Sequence, residues 1–332
     1  MIIKQALMSL IRREDLTEDV AAMCFENLFS GKMSFSQAGA FLVGLKVKGE
    51  TSNELFYAVN TALKFAKQIS IDDICEKSID TCGTGGDGKM SFNCCTAVAI
   101  FLADMGYKVV KHGNKAISSK CGSADIINAL NIPITKEESK IKEMLNKHNF
   151  AFLFAPYFHP ACANIAPIRQ DLAVPTIFNI MGPLLNPAHP THQLIGVGDP
   201  KYLDIVANVL QKKKIKRGAV VHGDGYDEIT PTGKTKIILI ENGDIKHVTI
   251  TPEEFNIKRC SDSDLRCKSL EDSLNIMRSL FVGNGPQPIK DMVALNLGMS
   301  LYLLEDNMSL KDAVSLAQTK INKGLNGRGI IC

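Results

Sequence analysis

The sequence predicts an α/β fold in which a small N-terminal helical bundle precedes a larger domain built on a mostly parallel sheet flanked by helices. Three observations lead there. The first seventy residues place apolar side chains at helical spacing. From Ser78 onward, short apolar runs alternate with helical stretches, which is the pattern of a sheet covered by helices. The first of those runs opens onto a glycine-rich loop and then a long apolar helix pattern, giving strand, loop and helix in succession.

In chain order, Leu7, Leu10 and Ile11, then Val20, Met23, Cys24 and Leu28, then Ala38, Phe41, Leu42 and Leu45 recur at helical spacing, with breaks at Gly31 and Gly49. Thr17 before Glu18-Asp19, Ser34 before Gln37 and Thr51 before Glu54 are helix N-terminal signals. Residues 1–70 therefore read as a domain of four or so helices, and residues 71–332 as the α/β domain. Strands are expected at 79–82, 108–112, 150–155, 176–180, 193–198 and 219–222. Residues 236–250 carry Asn242-Gly243-Asp244 between two β-branched runs and predict an edge hairpin. The prolines and glycines of residues 159–190 mark a segment that crosses back between the domains and walls a cleft.

Composition narrows the function. Thirty-eight basic against thirty-five acidic residues leave a net charge of +3, too small an excess for a nucleic-acid footprint. No run approaches the roughly 18 apolar residues of a membrane span, and the N-terminus lacks a cleavable signal pattern, so the expectation is a soluble, cytoplasmic protein. The ten cysteines are scattered without C-x-x-C pairs and read as reduced thiols, with Cys94 and Cys95 as small buried residues.

The loop itself selects among phosphate chemistries. Gly83, Gly85, Gly86 and Gly88 fall within six residues, so the backbone can take positive φ and close its N–H groups around an anion. A dinucleotide site would need an acid at the end of the next strand, where Lys111 and His112 stand instead. A P-loop would need a hydroxyl at position 90, which is Met90. What remains is a phosphate loop followed by two more polar loops, Lys111-His112-Gly113-Asn114-Lys115 and Ser118-Ser119-Lys120-Cys121-Gly122-Ser123.

Taken with GPLLNPA from Gly182 and DEITPTG from Asp227, the motifs GTGGD, N-x-x-T, KHGN and S-S-x-x-GSAD resemble, in order, those of the anthranilate phosphoribosyltransferases. The match runs from about Leu16 to about Leu304. The resemblance implies transfer of a phosphoribosyl group from phosphoribosyl diphosphate to anthranilate, with Mg²⁺ as the metal and a homodimer contact in the helical domain. No nucleic acid and no membrane is expected as partner.

By the same resemblance, Gly83, Thr84, Gly85, Gly86, Asp87, Asn93, Thr96, Lys111 and Ser123 would bind phosphoribosyl diphosphate, and Gly83, His112, Asn114, Arg169 and Pro183 would line the anthranilate site. An arginine such as Arg169 suits a benzoate because its fork grips a carboxylate through two parallel hydrogen bonds. Asp227 and Glu228 would supply the hard oxygens Mg²⁺ requires. The family's serine ligand falls on Cys95, whose thiol is a soft, poor ligand for that ion. Further departures are Lys115 for an arginine, and Ala173 and Pro175 for the glycine and arginine of L-G-x-R-T. No acid or base is assigned, and His112 is either a neutral shaping group or a late proton acceptor. Two alternatives stay open: ribosyl transfer like that of the pyrimidine nucleoside phosphorylases, and a non-catalytic nucleic-acid-binding relative.

Overall fold

The structure is a computed structural model and describes residues 1–115 and 122–327. Four helices come first: α1 (Ile2–Ile11), α2 (Glu18–Phe29), α3 (Phe35–Lys48) and α4 (Ser52–Lys64). Leu10, Val20, Cys24, Leu28, Ala38, Phe41, Leu42 and Leu45 form their common core, as the spacing predicts. Ile11 and Met23 from the same periodic set point outward instead. The entries into α3 and α4 are capping boxes, Ser34 with Gln37 and Thr51 with Glu54, each worth about 1 kcal/mol. Thr17 precedes α2 without a side-chain bond to it.

The α/β part follows as β1 (Ile79–Gly83), α5 (Cys94–Asp104), β2 (Val109–Gly113), α6 (Ser123–Ala129), α7 (Glu138–His148) and β3 (Phe150–Phe154). Short helices α8 (Ala155–Phe158), α9 (Ala166–Leu172) and α10 (Phe178–Met181) lead to β4 (His192–Gly196), α11 (Leu203–Lys212) and β5 (Arg217–Gly223). The hairpin β6 (Thr235–Glu241) and β7 (Asp244–Ile250) comes next, then α12 (Leu270–Phe281), α13 (Gln287–Leu304) and α14 (Leu310–Lys323). Among the described residues the strands form one sheet in the order β3-β2-β1-β4-β5-β6-β7, parallel through β5 and antiparallel beyond it. The chain steps outward from β1 to β3 and then returns to place β4 on the other side of β1. Such a reversal leaves a crevice at the carboxyl ends of the two central strands. No helix among the described residues is long and apolar enough to cross a membrane.

Two expectations change. The apolar, β-branched run 176–180 is not a strand: Phe178–Met181 is a single helical turn, begun where the Asn179 side chain accepts from the backbone N–H of Thr176. Pro175 sits just before it, and four residues are too few for a helical period to show. Lys111, His112 and Gly113 belong to the end of β2 rather than to a loop, so their directions are fixed by sheet pairing with β3. Of the third polar loop, Ser118, Ser119, Lys120 and Cys121 lie outside the described residues.

The segment 159–190 does reach both parts. Its 3₁₀ turn Pro160–Asn164 packs on α2, α9 packs on α3, and the turn Gly182–Leu185 touches both α4 and β2.

Candidate active site

Glycine sets how closely the strand ends approach. A Cβ on Gly83, the last residue of β1, would lie 2.1 Å from Asp227 Oδ2, and one on Gly196, the last of β4, would lie 1.5 Å from the Asp227 backbone oxygen. The loop after β5 therefore rests directly on the ends of β1 and β4. Gly85, Gly86 and Gly88 then take φ of +64°, +79° and +68°, the left-handed region that glycine enters without strain. The N–H of Gly85 donates to Asp227 Oδ2 at 2.7 Å.

Three carboxylates meet here. Asp227 is pushed up to about 7, first by burial and then by the charge of Asp87. Glu228 is pushed up to about 8 by burial and by Asp227, and its Oε1 accepts from the backbone N–H of Cys95 at the start of α5. Asp87 Oδ2 is buried with no hydrogen-bond partner among the described residues. None of the three is in an ion pair there. An acidic cluster this crowded and this short of positive charge fits a hard divalent cation. No three His, Cys, Asp or Glu side chains among the described residues form a cage for one, so much of its coordination would come from ligand oxygens and water. Cys95 lies at the same floor as Asp227 and Glu228. Its Sγ accepts from Lys111 Nζ at 3.3 Å, and burial pushes the thiol up to about 11, so it is neutral.

Lys111 is almost fully buried at the end of β2. Its ammonium also reaches the Thr81 carbonyl, and Asp80 beneath it is the nearby buried anion. Asp80 in turn accepts from the His112 backbone and, at 2.8 Å, from Asn186, whose amide also donates to the Val110 carbonyl. One buried carboxylate thus ties β1, β2 and the GPLLNP segment together. Gly113 is required as well, since a Cβ there would lie 2.2 Å from Ser123 Oγ.

These groups line one cavity of about 730 Å³. Gly83, Thr84, Gly85, Gly86 and Asp87 form one flank, with Asn93, Lys111 and Ser123 beyond it. His112, Arg169 and Pro183 form the other flank, Asn114 stands between the two with its carbonyl accepting from Ser123 Oγ, and Asp227, Glu228 and Cys95 sit at the floor. Thr96 is the exception. Asn93 caps α5 by accepting from the Thr96 N–H, which turns the Thr96 side chain into the core, fully buried and away from the cavity wall.

The far flank is built from the short helices. Arg169 on α9 lies 5.5 Å from the Phe178 ring of α10, and burial lowers its pKa. It makes no ion pair with any described carboxylate. His112 stands edge to face with His159, ring centroids 5.1 Å apart. Burial depresses His112 to about 3 and His159 to about 4, and the neighbouring His159 further discourages His112 from charging. Both are neutral imidazoles at pH 7. His159, Phe178 and Asp80 were not among the residues singled out from sequence. The one signal for His159 was its place ahead of Pro160 in the same broken segment as Arg169.

Comparison with known proteins agrees with this geometry. Residues 4–66 match the helical bundle domain of a glycosyl transferase family, and residues 76–326 match the a/b domain of a glycosyl transferase family. An anthranilate phosphoribosyltransferase of Nitratidesulfovibrio vulgaris is 43% identical over 320 residues, covering 95% of this chain and 94% of its own. The crystal structure of anthranilate phosphoribosyltransferase from Thermus thermophilus superposes with a TM-score of 0.88 at 34% identity, covering 96% of this chain and 95% of that one. The Saccharomyces cerevisiae enzyme, solved in complex with PRPP and Mg, shares the fold with a TM-score of 0.86 at 23% identity, covering 99% of this chain and 95% of its own. With nearly its whole length matched at these identities, the chain belongs to the anthranilate phosphoribosyltransferase family.

Proposed function

We propose that this chain transfers the 5-phosphoribosyl group of phosphoribosyl diphosphate to the amine of anthranilate and releases diphosphate, as a step of tryptophan biosynthesis. The observation that carries the acceptor is Arg169, a half-buried guanidinium facing the cavity with no carboxylate partner among the described residues. A buried cation left unpaired is costly unless a ligand supplies the charge, and a benzoate does so with two parallel hydrogen bonds. Neutral His112 and His159, with Pro183, give the aromatic ring an uncharged wall.

The donor would lie along the opposite flank. Backbone N–H groups of Gly86 and Asp87, further along the loop than the occupied donors of Thr84 and Gly85, would hold its diphosphate, while Asn93, Lys111 and Ser123 would hold the remaining phosphate and ribose oxygens. Thr96 acts through the cap of α5 rather than by contact. Asp227 and Glu228 would hold Mg²⁺, and Cys95 is left out of that set. When bound, the ion neutralises charge that develops on the leaving diphosphate.

What the chain contributes is position and field. The amine of anthranilate is neutral at pH 7, so attack needs alignment of nitrogen, C1 and leaving oxygen rather than a strong base. Arg169 fixes the carboxylate and thereby aims the amine across the cavity. His112, held neutral by burial, serves as an uncharged part of the wall, with its Nε2 free of any hydrogen-bond partner among the described residues.

Residues 1–70 are taken as a helical domain that also mediates a homodimer, a reading supported by the exposed apolar side chains of Met8, Ile11, Met23, Phe35 and Val47 on α1 to α3. The catalytic domain is taken as residues 71–332.

The test of the acceptor site is Arg169→Ala. The anthranilate KM should rise about 30- to 100-fold, the loss expected for a bidentate charge-assisted pair, with the donor KM within twofold. An equal rise in both constants would remove Arg169 from the acceptor site. The broken-segment wall gives no comparable reason to favour a nucleoside substrate.

A further inference from the structure

The carboxylates Asp227 and Glu228 are not supported in the same way. Asp227 lies on the bare backbones of Gly83 and Gly196 and accepts from Gly85 N–H. The Glu228 side chain has no glycine bed; its Oε1 accepts from the Cys95 N–H at 3.2 Å, and its carbonyl oxygen lies close over Gly223. Beneath the two acids is a small cavity of about 10 Å³, lined by Thr81, Cys95, Val98, Asp227, Glu228 and Asn296 among others. The Cys95 N–H holds the tip of the Glu228 side chain, and the void leaves its base less closely packed from that side.

Asn296 supplies what packing does not. It projects from the middle of α13, 1% exposed, and its amide grips the residue after Glu228 on both sides. Its Oδ1 accepts from Ile229 N–H at 3.0 Å and its Nδ2 donates to the Ile229 carbonyl at 2.7 Å. A second Nδ2 proton goes to the Met292 carbonyl at 2.8 Å, which locks the amide's orientation against its own helix. The Ile229 N–H belongs to the peptide that joins it to Glu228. Holding that plane on one side, with the Asp227 backbone resting on Gly196 on the other, constrains the backbone of Glu228 from both ends and so limits the directions its side chain can take.

We propose that Asn296 is a positioning residue for the metal site: it anchors the loop after β5 to α13 and thereby holds Glu228 beside Asp227 at the floor of the cavity. It touches neither substrate nor ion. The inference rests on the reading of Asp227 and Glu228 as the Mg²⁺ carboxylates. It adds that the backbone carrying Glu228 is held by a side chain far along the chain, from the helix α13, while the Cys95 N–H holds the tip of the side chain.

The test uses Mn²⁺ as a probe, its binding followed by electron paramagnetic resonance in the presence of diphosphate. Asn296→Ala leaves two buried backbone groups of Ile229 unpaired and will lower Tm. Leu301→Ala, a core truncation on the same helix away from the loop, is the control for stability loss alone. The expected result is a roughly tenfold weaker Mn²⁺ affinity in Asn296→Ala, with wild-type affinity in Leu301→Ala and the anthranilate KM within twofold in both. Mn²⁺ affinity unchanged in Asn296→Ala, or weakened equally in Leu301→Ala, would overturn the role given to Asn296 and leave the carboxylate reading standing. A wild-type protein that binds no Mn²⁺ with diphosphate would overturn both.

Discussion

The two flanks of the cavity are made by different means. The flank proposed for the donor is a set of strand ends, Gly83, Gly113 and Gly196, on which other groups sit too closely for any side chain larger than hydrogen. Its floor crowds the carboxyl groups of Asp87, Asp227 and Glu228 together, so that burial and their mutual repulsion push Asp227 and Glu228 up to about 7 and about 8. The flank proposed for the acceptor is made of helical turns, α9, α10 and Gly182–Leu185, and presents one unpaired guanidinium and two neutral imidazoles. Crowded carboxyl groups mark one end and an unpaired guanidinium the other. A cavity arranged so is organised for ligands that bring a cation to one end and a carboxylate to the other.

The contrast can be broken most severely from the acidic end. Replacing both Asp227 and Glu228 by Ala should lower turnover by roughly a thousandfold or more, while the metal-free protein keeps its Tm or gains a little, because two buried, poorly compensated acids are gone. Steady-state kinetics and a thermal scan check both halves, and retained turnover would sink the assignment. At the other end, Arg169→Lys keeps a charge but loses the fork. About tenfold of anthranilate affinity should go with it, less than for Arg169→Ala, and initial rates at varied anthranilate measure the gap.

The imidazoles sharpen the contrast through pH. A His whose folded pKa lies below its unfolded value contributes stability that is present above the unfolded pKa and lost as pH falls, because the unfolded chain takes up protons the folded one refuses. With His112 near 3 and an ordinary value near 6.5, the loss by pH 5 is about 2 kcal/mol. His112→Asn should flatten the fall of Tm between pH 7 and 5. A fall as steep as that of the wild type would mean that His112 is not held neutral.

The smallest expected effect lies at the end of α9. Ala173 caps it with φ of +51°, a conformation costing a residue with a Cβ about 1 kcal/mol. Ala173→Gly should recover about that much in chemical denaturation without changing either KM. A loss of stability would show that the strain is absent.

The donor flank was largely legible in the sequence because the steric demand that shapes it falls on consecutive residues. Glycines at a strand end, a cap at Asn93 and adjacent acids at Asp227 and Glu228 leave contiguous motifs. The strands at 79–82, 108–112, 150–155 and 219–222 and the hairpin were readable for a similar reason, each being a short apolar run bounded by turn residues. The acceptor flank was less so. Four residues at Phe178–Met181 give no period by which helix and strand can be told apart, so the β-branched run reads as a strand in the sequence. Thr96 takes its place in N-x-x-T at the cap of α5, where its N–H donates to Asn93 and its side chain is buried, which the motif alone does not reveal. His159 and Asn296 could not be found by spacing at all. The first meets His112 across a segment of irregular turns, and the second reaches Ile229 from sixty-seven residues away.

The most direct measurement is the loss of anthranilate fluorescence when purified protein is mixed with anthranilate, phosphoribosyl diphosphate and Mg²⁺, with EDTA in a parallel reaction. Donor, acceptor and metal are all required for the signal to change. Loss of fluorescence at catalytic protein concentration, abolished by EDTA, is the predicted result. Fluorescence that persists in protein shown to be folded, with all three present, would contradict the assignment of the two flanks to these two substrates.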